Sequence, residues 1–282
     1  MKKIILPVLL IAIAFGIYKY RADLPMAFSR LTENSITQKF LGKISQQDFL
    51  PPPLRGSLEG EANLTKDGVI YWTNWNRQQN NLPPLHENAK LDETAAIKLK
   101  DMFDKQYFEH ESPEGVGPSD LAKRVGYQYA VVGENLALGN FKNDQILLQG
   151  WMNSPGHRAN ILSDRFQEIG IAVGRGTFEG KQTWLAVQSF ARPLSSCPSV
   201  EESLRKQLND NNAAISQMQQ QIKTMKAAID SGVYKNRGEY NAKVSEYNSL
   251  VDKYNNLIDR TKTIVAKYNA EVVAYNSCLN QA

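Results

Sequence analysis

Cysteine and histidine are scarce in this chain, with two of the former and three of the latter in 282 residues. No compact metal motif of closely spaced Cys and His occurs, so imidazole or thiol chemistry has to be assembled from distant parts of the chain. No Gly-x-Ser-x-Gly nucleophile elbow is present either. Basic runs are missing: the net charge of +4 comes from interspersed Lys, Arg, Asp and Glu, which excludes nucleic acid as the expected partner. Long apolar runs are confined to the N-terminus. Tryptophan is absent after Pro198 and glycine nearly so, which sets the last third of the chain apart from the rest.

What is present divides into four parts. Residues 1–21 carry Lys2 and Lys3, an apolar run from Ile4 to Tyr18, then Lys19 and Arg21, the layout of a signal peptide or signal anchor. Fifteen residues of helix cover about 22 Å of a hydrocarbon core of ~30 Å. The only Ala-x-Ala, at Ala12 and Ala14, lies inside the run, so we expect an uncleaved membrane anchor, with secretion after cleavage as the alternative. Either way the chain is expected outside the cytoplasm. Residues 22–62, with Pro51, Pro52 and Pro53 in succession, read as a linker.

Residues 63–195 read as an α+β domain. Two segments, from Asp67 and from Leu91, have apolar residues at helical spacing, the second with Leu91, Ala95, Leu99 and Met102 on one face. Two others, from Glu168 and from Lys181, alternate at period two around a glycine-rich connection, which predicts an antiparallel hairpin and a small antiparallel sheet.

Residues 197–282 carry two heptad seams, Leu204 to Ile229 and Tyr240 to Leu279, separated by Gly232 and Gly238. Folding one on the other with a tip near Gly238 sets Leu204 opposite Val272, Leu208 opposite Tyr268 and Asn211 opposite Val265. It also brings Cys197 beside Cys278. An antiparallel coiled-coil hairpin closed by a disulfide is expected, in keeping with export, although each helix could instead pair with another chain. Leu250, Leu257 and Ile264 widen the apolar stripe, which points to self-association or a helical partner.

His110 and His157 both stand next to Ser-Pro sequences, where a helix gives way to a loop. His86 reads as a surface loop residue. Glu134 lies in the apolar frame AVVGENLALG, where a carboxylate needs a partner to be buried. Two histidines and a carboxylate could bind Zn²⁺ with an open fourth position, or each histidine could serve as a structural hydrogen-bonding group.

Four segments in order, YFEHESPEG, GENLALG, WMNSPGHRANIL and FQEIGIAVG, resemble motifs of bacterial members of the CAP superfamily, named for cysteine-rich secretory proteins, antigen 5 and pathogenesis-related proteins. The resemblance implies an α-β-α sandwich with an open cleft lined by His110, Glu134, Asn135, Ser154, His157 and Asn160. His110, Glu134 and His157 match three of the family's four cleft residues and are the candidate catalytic group, with His110 and His157 as metal ligands. The second acid of that tetrad has no counterpart, its place falling on Ser154. The family's functions span lipid binding, protein interaction, metal binding and proteolysis. The expectation is therefore an extracytoplasmic binding module for an envelope component, lipid-like ligand or protein partner. The alternative is a metal-assisted or serine-type hydrolase using Ser112 or Ser154.

Overall fold

The computed structural model describes residues 48–281. The expected signal or anchor at 1–21 and most of the expected linker lie outside the described residues. Among the described residues, no helix is long and apolar enough to cross a membrane.

A six-stranded mixed sheet organises the domain. Its centre is three long strands, β4 (Tyr129–Leu138), β6 (Lys181–Pro193) and β5 (Glu168–Phe178), paired antiparallel. Their alternating apolar residues explain the pairing, and Glu179 and Gly180, both at positive φ, close the β5–β6 turn as a two-residue hairpin loop requires. Three two-residue strands lie parallel at the edges, so the sheet is not purely antiparallel. β3 (His86–Glu87) joins β5, which puts His86 on a short strand where it is exposed. β1 (Asp48–Phe49) and β2 (Leu54–Arg55) both join the outer edge of β4. The end of the segment read as a linker is therefore part of the sheet. The triple proline hid this, because Pro lacks the N–H of a ladder donor and is tolerated only where an edge strand breaks.

Helices cover both faces. On one, α1 (Lys66–Gln79), α4 (Asp144–Asn153) and α5 (Pro155–Ile161) bring Val69, Leu147, Trp151 and Ile161 against Val131, Ala137 and Phe190. On the other, α2 (Ala89–Lys105) and α3 (Pro118–Arg124) bring Ala95, Met102 and Ala122 against Leu136, Leu138 and Val132. Successive residues of β4 thus serve opposite layers, as period two demands. The buried stripe of α2 runs Leu91, Ala95, Lys98, Met102. A lysine takes the place expected of Leu99, which is half-buried.

The C-terminal part forms two packed helices, α6 (Glu202–Asp230) and α7 (Arg237–Gln281). Asn211 Nδ2 donates to Thr261 Oγ1 at 3.0 Å and Gln219 Nε2 to Tyr254 Oη at 2.8 Å, contacts that run antiparallel. These polar contacts step one turn from the expected layers, in which Ile215 faces Thr261 and Ile222 faces Tyr254. The turn falls before Gly238: Gly232, at φ +68°, follows the α6 cap, as a helix C-terminus prefers, and Gly238 lies inside α7. Cys197 and Cys278 form the disulfide. Tyr275, Cys278 and Leu279 pack on the domain core.

Candidate functional site

The site lies along the outer edge of β4. Glu134 and Asn135, adjacent on that strand, point to opposite layers, and the structure gives each a separate hydrogen-bonded group.

Glu134, fully buried, faces the α2 layer. Its Oε1 lies 2.7 Å from Nδ1 of His110. The other ring nitrogen of His110, Nε2, lies 2.5 Å from the Pro51 carbonyl oxygen. Both ring nitrogens thus face acceptors, an arrangement satisfied when both carry protons. Burial opposes the charge, but the hydrogen bond and negative charge of Glu134, with the Pro51 carbonyl, prevail and raise the His110 pKa above its ordinary value. Lys98, also buried, donates from Nζ to the His110 carbonyl at 2.6 Å and to Tyr107 Oη at 3.1 Å. Desolvation lowers the Lys98 pKa, and the acidic groups around it, Glu134 foremost, oppose that shift.

Asn135 faces the α1 layer and builds a ladder of buried amides. Its Nδ2 donates to Gln188 Oε1 at 3.0 Å and to the His157 carbonyl at 3.2 Å, and Gln188 Nε2 donates to Thr73 Oγ1 at 2.7 Å. Asn160 Nδ2 reaches Asn135 Oδ1 at 2.9 Å and the Phe49 carbonyl at 3.1 Å. Fully satisfied networks of this kind fix geometry. Here the network fixes α5 on β4.

His157 stands in the first turn of α5 and not at a loop mouth. Pro155 occupies the first helical position after the Ser154 cap, where its missing N–H costs nothing and its φ suits a helix. Ser-Pro therefore starts a helix here. The ring is buried, with Nδ1 2.7 Å from Ser154 Oγ and stacked near Trp151. Burial first, and the neighbouring charge of His110 second, push its pKa down to about 4, so His157 is neutral at neutral pH. Its Nε2 and Glu134 Oε2 are buried without a hydrogen-bond partner.

All six residues expected at the cleft therefore meet on or beside β4. Sequence reasoning missed Lys98, Gln188, Thr73 and the main-chain carbonyls of Phe49 and Pro51, which belong to the edge segment 48–55. Lys98 had a signal, since it shares the α2 stripe with Leu91, Ala95 and Met102. Ser112 is placed elsewhere: its Oγ donates to Glu114 Oε2 and accepts the Glu114 N–H within its own turn.

Residues 70–190 match the model of the cysteine-rich secretory protein family, CAP. The chain carries a CAP domain. The uncharacterized protein YkwD of Bacillus subtilis is 40% identical over 116 residues, which are 41% of this chain and 43% of that protein. The uncharacterized membrane protein YlbC of the same organism is 29% identical over 107 residues, 38% of this chain and 31% of that one. The chain thus spans less than half the length of these curated relatives. A solved extracellular protein containing an SCP domain, from Bacillus anthracis, is 32% identical with a TM-score of 0.39, over 45% of this chain and 40% of that chain.

Zinc, which the resemblance to the family implies, does not fit the CAP site as arranged. His110 has no ring nitrogen left to give, since Glu134 takes one and Pro51 the other. Among the described His, Asp and Glu side chains, the buried atoms without a hydrogen-bond partner are His157 Nε2 and Glu134 Oε2, short of the three protein ligands of a catalytic zinc. Among the described residues, no group of three or more His, Cys, Asp or Glu side chains is arranged to hold a metal ion.

Proposed function

We propose that the CAP domain is an extracytoplasmic binding module whose cleft, lined by His110, Glu134, Asn135, Ser154, His157 and Asn160, engages a component of the cell envelope, a lipid-like ligand or a protein partner. One observation carries this reading. His110, the residue best placed to act as a base or a ligand, spends both ring nitrogens on Glu134 and on a main-chain carbonyl, which supports a role in holding main chain over one in proton transfer or metal binding. The disulfide of Cys197 and Cys278 supports a location in an oxidising compartment. The half-buried Leu250, Leu257 and Ile264 support a helical partner on the hairpin.

The 2.7 Å contact of Ser154 with His157 favours a serine-type hydrolase as the second reading. Against it, Glu134 orients His110 and leaves His157 without a carboxylate behind it. A His157 pKa pushed to about 4 also makes a weak base at neutral pH.

The purified full chain, incubated in turn with cell-wall material, lipid vesicles and extracted envelope proteins, should be retained by one of them. Retention should fall at least tenfold in E134Q and H110Q. If no fraction retains it, and S154A abolishes a measurable turnover of peptide or ester substrates, the binding reading fails in favour of the hydrolase.

A further inference from the structure

The chain's own residues 48–55 lie as a strap along the outer edge of β4, where His110 and Asn160 hold two of its carbonyls. β4 has ten buried residues and pairs with β6 on one edge only. Its other edge would present unpaired backbone groups along an apolar strand, a template for another extended chain. The strap supplies that chain. Asp48 and Phe49 pair with Val132 and Gly133, and Leu54 and Arg55 with Ala137 and Leu138, all in parallel. Between these pairs the strap has one residue more than β4, and its three prolines cross Glu134, Asn135 and Leu136 without ladder donors.

Recognition over the gap passes to side chains. His110 takes the Pro51 carbonyl and Asn160 the Phe49 carbonyl, so both contacts read main chain and are blind to sequence. Sequence is read by fit. Pro51 is buried against Gly156, where an added Cβ would come within 2.6 Å of the proline Cβ. Phe49 lies edge-on to Phe166 at 5.7 Å between ring centroids, under the Arg165 guanidinium at 4.5 Å, and an added Cβ on Gly133 would come within 3.2 Å of its Cβ. The floor is moulded to an aromatic residue, a proline two positions on, and a leucine three beyond that.

We propose that the cleft is an acceptor for an extended, proline-containing peptide segment of a partner protein, which adds to β4 as a parallel strand, and that residues 48–55 hold this place in cis until such a segment displaces them. Main-chain pairing gives affinity and pockets for alternate side chains give selectivity in strand addition. Being part of the same chain, the strap competes for the edge with an intramolecular advantage that a partner segment must overcome. This rests on the binding-module reading and names the ligand class for it.

The test uses the full chain and a fluorescent peptide of the strap sequence, QDFLPPPLRG. Weakening the strap in F49A/L54A, and more mildly in L54A alone, should raise peptide affinity at least tenfold over the parent chain, with a scrambled peptide inert. Adding H110Q to the opened chain should abolish binding while the disulfide and helical circular dichroism persist. An opened, folded chain that retains envelope material but neither binds the peptide nor is blocked by it overturns the proposal and leaves the binding-module reading standing. If it binds neither, both fail. A parent chain that dimerises with concentration, and loses this in F49A/L54A, would assign the edge to a second copy and also overturn the partner-peptide proposal.

Discussion

The two edges of β4 are held in opposite ways. On one side β6 runs beside it through nine antiparallel register pairs, from Tyr129–Pro193 to Leu138–Leu185, with Leu136, Ala137, Val187 and Phe190 buried on the two faces. On the other, the strap makes two pairs, breaks at three prolines, and makes two more. The first edge is built by a continuous ladder over buried apolar faces, and the second by two short ladders, the apolar contacts of Phe49, Pro51 and Leu54, and side-chain grips on two carbonyls. Burial on the first scale is lost only when the domain unfolds, whereas contacts of the second kind can open locally.

The largest difference should come from paired truncations. F190A removes a fully buried ring and should cost about 3–5 kcal/mol in urea unfolding of the domain, whereas F49A, on the half-buried strap, should cost about 1–2. Equal losses would make the strap as integral as β6.

The two histidines of the cleft should respond to pH with opposite signs. His157 is depressed to about 4 by burial and by the charge of His110, so the unfolded chain binds the extra proton first. Its contribution is complete above the ordinary histidine pKa and is lost as pH falls through that range toward 4, on the order of 2 kcal/mol after allowing for screening. H157N should remove that acid sensitivity from the unfolding midpoint. His110 is raised, so its grip on the strap is complete below the ordinary histidine pKa and is lost as pH rises through its folded value. Protection of the Gly56 amide, which donates to the Leu138 carbonyl at 2.8 Å, should therefore fall on the alkaline side in the parent chain and be insensitive to pH in H110Q.

The smallest effect sharpens the contrast with the surface. Lys206 and Asp210 pair at 2.9 Å with both side chains mostly exposed, and K206A should change stability by no more than about 0.5 kcal/mol. A larger loss would mean that exposed polar contacts count for more than this account allows.

Much of this was legible in the sequence, for stated reasons. The β5–β6 hairpin and helices α1 and α2 follow from periodicity. The disulfide followed from setting the two seams against each other. His110, Glu134 and His157 were found through the ordered motifs and the cost of burying a lone carboxylate. The strap was not legible, because a triple proline reads as a linker until an edge strand is present for it to cross. The helical setting of His157 was missed because Ser-Pro-Gly reads as a turn as readily as a cap followed by Pro at the first helical position. Lys98 was passed over because a lysine on a buried stripe breaks the apolar pattern, and its partners, the His110 carbonyl and Tyr107, are 12 and 9 residues away.

Native-state hydrogen exchange across β4 tests the central claim most directly. The amides of Leu54, Arg55 and Gly56 should exchange through local opening, roughly a hundredfold or more faster than the paired amides of β6 between Leu185 and Ala191, and should slow no further when the domain is stabilised elsewhere. Strap amides that exchange only with global unfolding, at the same rate as β6, would contradict the account and make the Phe49–Arg55 segment a permanent strand.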